Sequence, residues 1–182
     1  EKMWRQVLLL SFWSVAFVVP LFFHHGLNVV TKTYLEGAGR FWTGMNPYAP
    51  GVLGDKFQYS PFFAAFYGFF IPLPVTLHAI LWAFLNCFIF WWGIGRWFTF
   101  ERKMPWFLWA AWAVCAMELD ISIRYQQINA LMAGLILLAL AAYRDKKYVA
   151  AGIWFALGTN WKIIPVLFAL PLFWPRKNRY IR

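Results

Sequence analysis

The stretch Val75–Gly95, VTLHAILWAFLNCFIFWWGIG, runs for 21 residues without a charge. As a helix rising 1.5 Å per residue it covers about 32 Å, enough to cross the ~30 Å hydrocarbon core of a bilayer. Composition supports that reading. Of 182 residues, 62% are hydrophobic, 23% aromatic and 13% charged, against about 45–50% apolar and about 25% charged in soluble domains. These values exclude a water-soluble globule and a disordered chain. A polytopic membrane protein remains.

Working outward, Val7–Phe23 is a second uncharged run, preceded by Lys2 and Arg5. It is longer than a signal-peptide core and ends in Phe22-Phe23-His24-His25, so it reads as an uncleaved span. Met104–Met117 and Tyr125–Tyr143 follow, and Tyr148–Pro175 is broken only by Lys162. The net charge of +10 does not point to a nucleic-acid partner, because the basic residues cluster between apolar runs. With Lys2 and Arg5 inside, Arg96, Arg102, Lys103, Arg144, Lys146, Lys147, Arg176, Lys177, Arg179 and Arg182 also fall inside. Lys32, Arg40, Lys56, Arg124 and Lys162 fall outside, a 12-to-5 split that obeys the positive-inside rule.

This parity makes 104–143 a hairpin with an outer turn near 118–127. It makes 148–175 a second hairpin with Lys162 at its outer tip. Pro61–Ile71 is too short to span and is followed by Pro72-Leu73-Pro74, so it reads as a re-entrant or interfacial half-span. The expected fold is therefore all-α, a polytopic transmembrane bundle of six spans plus one half-span. It forms a single domain over 1–182, with both ends cytoplasmic. The chain lacks an initiator Met and stops after a basic cluster, and is expected to be a piece of a longer protein.

Residues 24–60 form the one long polar loop, on the outside. Within it Tyr34, Ala38, Phe41 and Trp42 share one face at helical spacing, while Lys32, Glu36 and Arg40 follow i, i+4, i+8 on another. An amphipathic helix is expected, ended by Asn46-Pro47-Tyr48. The arm before Lys162 has 14 uncharged residues, about 21 Å of helix, short of the ~30 Å core. Lys162 is thus expected below the outer surface, where a charge needs a wet cavity or a partner. Arg124 and Gln126-Gln127-Ile128-Asn129 stand at a neighbouring outer turn, so one outward cavity is expected.

Other chemistry is sparse. Gly93-Ile94-Gly95 has no strand before it and is no phosphate loop. His24-His25 are adjacent and point apart, and His78 suits an interhelical hydrogen bond. Cys87 and Cys115 have no ligand spacing. The tryptophans at 91, 92, 97, 106, 109 and 112 suit an aromatic belt. Glu118-x-Asp120 leaves a divalent cation open, but no cofactor or metal is required.

Three pieces stand in order: Gly44-Met45-Asn46-Pro47-Tyr48 with Tyr59-Ser60-Pro61; Gln127-Ile128-Asn129 opening a span that ends in Arg144-Asp145-Lys146-Lys147; and Ala156-Leu157 before Lys162-Ile163-Ile164-Pro165. This set resembles the polyprenol-phosphate-sugar-dependent mannosyltransferase-like family, the glycosyltransferase-family-87-like membrane enzymes of GT-C architecture. The resemblance implies transfer of a hexose, mannose among the candidates, from a polyprenyl-phosphate donor to a lipid or glycan acceptor. It places the reaction on the outer face of a bacterial plasma membrane. It also implies an acid early in the first outer loop as general base, yet Gly26–Lys32 contains none.

Either Glu36 or Asp55 takes that role, or the member is inactive, or the base lies beyond the chain. Lys162, Arg124 and Arg40 are the candidate phosphate ligands. Gln127 and Asn129 are candidates to hydrogen-bond sugar or phosphate. Phe62, Phe63, Phe66, Phe69 and Phe70 suit contact with a lipid tail. The alternative function is a transporter or flippase for a lipid-linked or small anionic substrate.

Overall fold

The computed structural model describes residues 4, 7–8, 10–12, 14, 29–51, 56–97 and 119–162. Every regular element among them is helical, and none is a strand. The elements are α1 (Val29–Trp42), α2 (Pro61–Tyr67) continued by a 3-10 turn (Gly68–Phe70), α3 (Val75–Trp97), α4 (Asn129–Arg144) and α5 (Tyr148–Trp161). A helical turn at 119–124 precedes α4. Most of the expected first span, and all of the segments 104–117 and 163–175, lie outside the described residues.

Among the described residues one helix, α3, is long and apolar enough to cross a membrane. The 10-residue stretch Pro61–Phe70 and α4 are shorter apolar helices. The helix α2 begins where the sequence allows it. Ser60 is the N-cap, its Oγ accepting from Phe63 N at 3.2 Å, and Pro61 takes the first helical position, where it loses no bond. The helix α5 stops at Trp161, and Lys162 is extended at φ −150° and ψ 133°.

The helices α3 and α4 run in the same direction. Trp82 Nε1 donates to Gln126 O at 2.9 Å, and Asn86 Oδ1 accepts from Leu131 N at 3.2 Å. Further along, Arg144 donates to the carbonyls of Arg96 and Trp97 at 2.9 and 2.8 Å. Such a pair cannot be closed by a short turn. The two backbones touch midway: a Cβ on Gly93 would sit 2.5 Å from Gly134 O, and one on Gly134 would sit 2.4 Å from Ile89 O. Small residues permit this approach. The helix α5 returns antiparallel to α4, from the Tyr143–Tyr148 ring contact to a bond between Lys162 and Asn129.

Two apolar cores result. One gathers Val7, Ala83, Cys87, Phe90, Ile94, Leu119 and Ile123 along α3. The other joins Tyr34 and Ala38 of α1 to Phe57, Phe63, Tyr67, Trp82, Leu135 and Trp161. Here α1 lies across α2 at the end of the bundle that also carries Gln126. Tyr34 and Ala38 are buried as their spacing predicts, but Trp42 is 59% exposed. It lies over α2, its indole donating to Ala65 O at 3.2 Å. The helix ends at Trp42 rather than reaching Asn46. Trp91, expected in a belt, is buried, with its indole on Ser14 Oγ.

Candidate functional site

At the Gln126 end, three side chains named from the sequence meet. Lys162 Nζ donates to Asn129 Oδ1 at 3.1 Å, and Asn129 Nδ2 donates to Gln127 Oε1 at 2.7 Å. Asn129 opens α4 and Lys162 closes α5, so the antiparallel pairing of those helices builds the contact. Both side chains are half-buried.

The site rests on a polar scaffold. Gln126 is 3% exposed and has a positive φ of 53°. Its side chain accepts from Thr31 Oγ1 and its carbonyl holds Trp82, tying α1 to the turn. Asn86, buried in α3, accepts from Leu131 N and donates to Trp82 O. Ser60 caps α2 and also donates to Asn160 O, fastening the loop to the last turn of α5. Tyr34 and Tyr59 share a hydroxyl bond of 2.9 Å. Burial raises both hydroxyl pKa values, so the pair stays neutral and contributes shape and hydrogen bonding. Sequence reasoning missed Thr31, Gln126 and Asn86 as supports. A lone Asn in an uncharged 21-residue run was the available signal, since an amide there must find a partner.

The other candidates are engaged elsewhere. Arg40 holds Glu36 at 2.7 Å, Pro50 O at 3.0 Å and Ala49 O, stapling the loop back onto α1. Arg124 is paired with Asp120 at 2.8 Å on the exposed side of the turn. Asp55 and Glu118 lie outside the described residues. His78 bonds Tyr67 Oη at 2.7 Å, the interhelical role its position predicts. No group of three metal-ligating side chains occurs among the described residues.

The family model of glycosyltransferase family 87 matches residues 57–182. The chain belongs to glycosyltransferase family 87. Members of family 87 are membrane glycosyltransferases. The matched stretch contains Ser60, Gln127, Asn129 and Lys162, whereas Glu36, Arg40 and Asp55 precede it. No curated protein and no solved structure matches this family-87 chain.

Proposed function

We propose that this chain carries the donor-phosphate site of a membrane glycosyltransferase, which moves a hexose from a polyprenyl phosphate to a lipid or glycan acceptor on the outer face. The observation that carries the proposal is Lys162, a half-buried cation whose partner among the described residues is a neutral amide oxygen. A charge so placed calls for an anionic ligand. In the same last turn of α5, Thr159 Oγ1 and Trp161 Nε1 are buried without a hydrogen-bond partner among the described residues, and such groups favour a polar ligand.

In this reading the acceptor hydroxyl attacks the anomeric carbon. The bond from that carbon to the phosphate oxygen breaks, and polyprenyl phosphate leaves with the electron pair. Lys162 stabilises the charge growing on the leaving phosphate. Arg124 and Arg40 are further proposed phosphate ligands, each of which first releases its own carboxylate. Glu36 or Asp55 takes the acceptor's proton. The exposed Phe62 and Phe69 line the way for the polyprenyl tail, whereas Phe63, expected there from the sequence, is taken up by the core.

The test is turnover of a radiolabelled polyprenyl-phosphate sugar by the intact protein. Lys162→Ala is expected to cost about a hundredfold or more, as for other losses of a charge-stabilising donor. Near-normal turnover removes Lys162 from the site. Of Glu36→Gln and Asp55→Asn, one is expected to abolish transfer, and two active variants overturn the base assignment.

A further inference from the structure

The three bonded side chains at the Lys162 end have a fixed polarity. A lysine ammonium only donates, so the Asn129 atom facing it is the carbonyl oxygen. That turns the Asn129 amide nitrogen toward Gln127, whose Oε1 receives it at 2.7 Å. Reversing Asn129 would set two donors face to face at 3.1 Å from the ammonium. Gln127 accepts from the end of Asn129 that the lysine leaves free.

No carboxylate among the described residues cancels the ammonium. Glu36 is held by Arg40 at 2.7 Å, Asp120 by Arg124 at 2.8 Å and Asp145 by Arg96 at 2.8 Å. The described acids are all engaged by arginines, and the lysine that sits deepest at this end is left with a neutral acceptor.

We propose that Asn129, braced by Gln127, is a positioning residue that anchors Lys162 through an uncharged oxygen and so reserves the ammonium's charge for a phosphate group. The inference rests on the reading of Lys162 as the phosphate ligand. It moves Asn129 from touching substrate to holding the residue that does. An aspartate at 129 has nearly the same shape and grips the lysine at least as firmly. It differs in forming an ion pair that consumes the charge the ligand needs. Packing therefore survives while recognition fails, which separates positioning from a merely structural role.

The experiment titrates farnesyl phosphate, farnesol and inorganic phosphate against the purified intact protein in detergent, with thermal unfolding as the fold control. The wild type is expected to prefer farnesyl phosphate to farnesol, and Lys162→Ala to erase that preference. Asn129→Asp is expected to weaken farnesyl phosphate binding at neutral pH by about tenfold or more, the worth of a charge-assisted bond. It should leave farnesol binding and the unfolding midpoint near wild type.

Gln127→Leu, which removes the brace on the Asn129 amide, should weaken binding about threefold or more, and it decides the matter should Asn129→Asp fail to fold. Wild-type affinity in either folded variant overturns the positioning role while leaving Lys162 in place. A phosphate preference that survives Lys162→Ala overturns the phosphate reading itself, and the positioning role with it. Competition by inorganic phosphate as strong as by farnesyl phosphate upholds the positioning role but assigns the site to free phosphate.

Discussion

Gln126 and Lys146 share a backbone state that side chains rarely adopt, with φ of 53° and 59°. Each follows a helical segment and is closed by the same pair of bonds. Gln126 N and Gln127 N reach Ile123 O and Ser122 O, while Lys146 N and Lys147 N reach Tyr143 O and Ala142 O. Glycine usually fills this position, and neither side chain announces it in the sequence. The two should respond oppositely to glycine. Lys146 is exposed, so Lys146→Gly relieves about 1–2 kcal/mol of left-handed cost against about 0.4–1 kcal/mol of added chain freedom when unfolded. A net gain of roughly 0.5 kcal/mol is expected. Gln126→Gly strips Thr31 of its buried partner, a loss of about 1–3 kcal/mol, and is expected to destabilise. Unfolding midpoints in detergent check both signs. Lys162 itself was legible because it is the only charge in a long apolar run. Gln126 was not, since its value lies in a contact 95 residues away in sequence.

Among the elements, the apolar runs and their basic bookends reveal where helices lie. The 14-residue arm before Lys162 is α5 itself. They do not reveal which faces meet, because α3 and α4 are apolar nearly all round and such helices carry no stripe to read. The contact is decided by absence of side chain at Gly93 and Gly134. Gly134→Ala would press its Cβ on the Ile89 carbonyl, backbone that cannot swing away, and is expected to cost about 1–3 kcal/mol or more. Gly152, in α5, has open space around its missing Cβ, so Gly152→Ala should gain up to about 1 kcal/mol from helix propensity. Opposite shifts in the unfolding midpoint would bear this out, and equal shifts would discount the close approach. The amphipathic α1 was the easiest to read, because its charges and aromatics separate by face. Its early end at Trp42 was not, because the indole's bond to Ala65 O is a tertiary contact.

At the scale of the molecule, Lys162, Asn129 and the Gln126 turn stand at one end, and Arg96, Arg144 and Asp145 at the other. If the first end faces outward, cysteines introduced by Glu36→Cys and Lys162→Cys in a background without Cys87 and Cys115 should label with a membrane-impermeant maleimide in intact cells. Lys146→Cys should label only after permeabilisation. Labelling of 36 and 162 from opposite sides would end the single-site proposal. The charge split carried this orientation in the sequence, while the cation's neutral anchor emerged only when two helix ends were brought together. The shared direction of α3 and α4 also governs how the protein is made. Asn86 leaves the ribosome 45 residues before Leu131, roughly 2–9 s at common elongation rates. Through that interval the nascent chain holds an unanswered amide oxygen and a bare glycine notch, so this stage of synthesis is the one at which an assembly factor has most to shield.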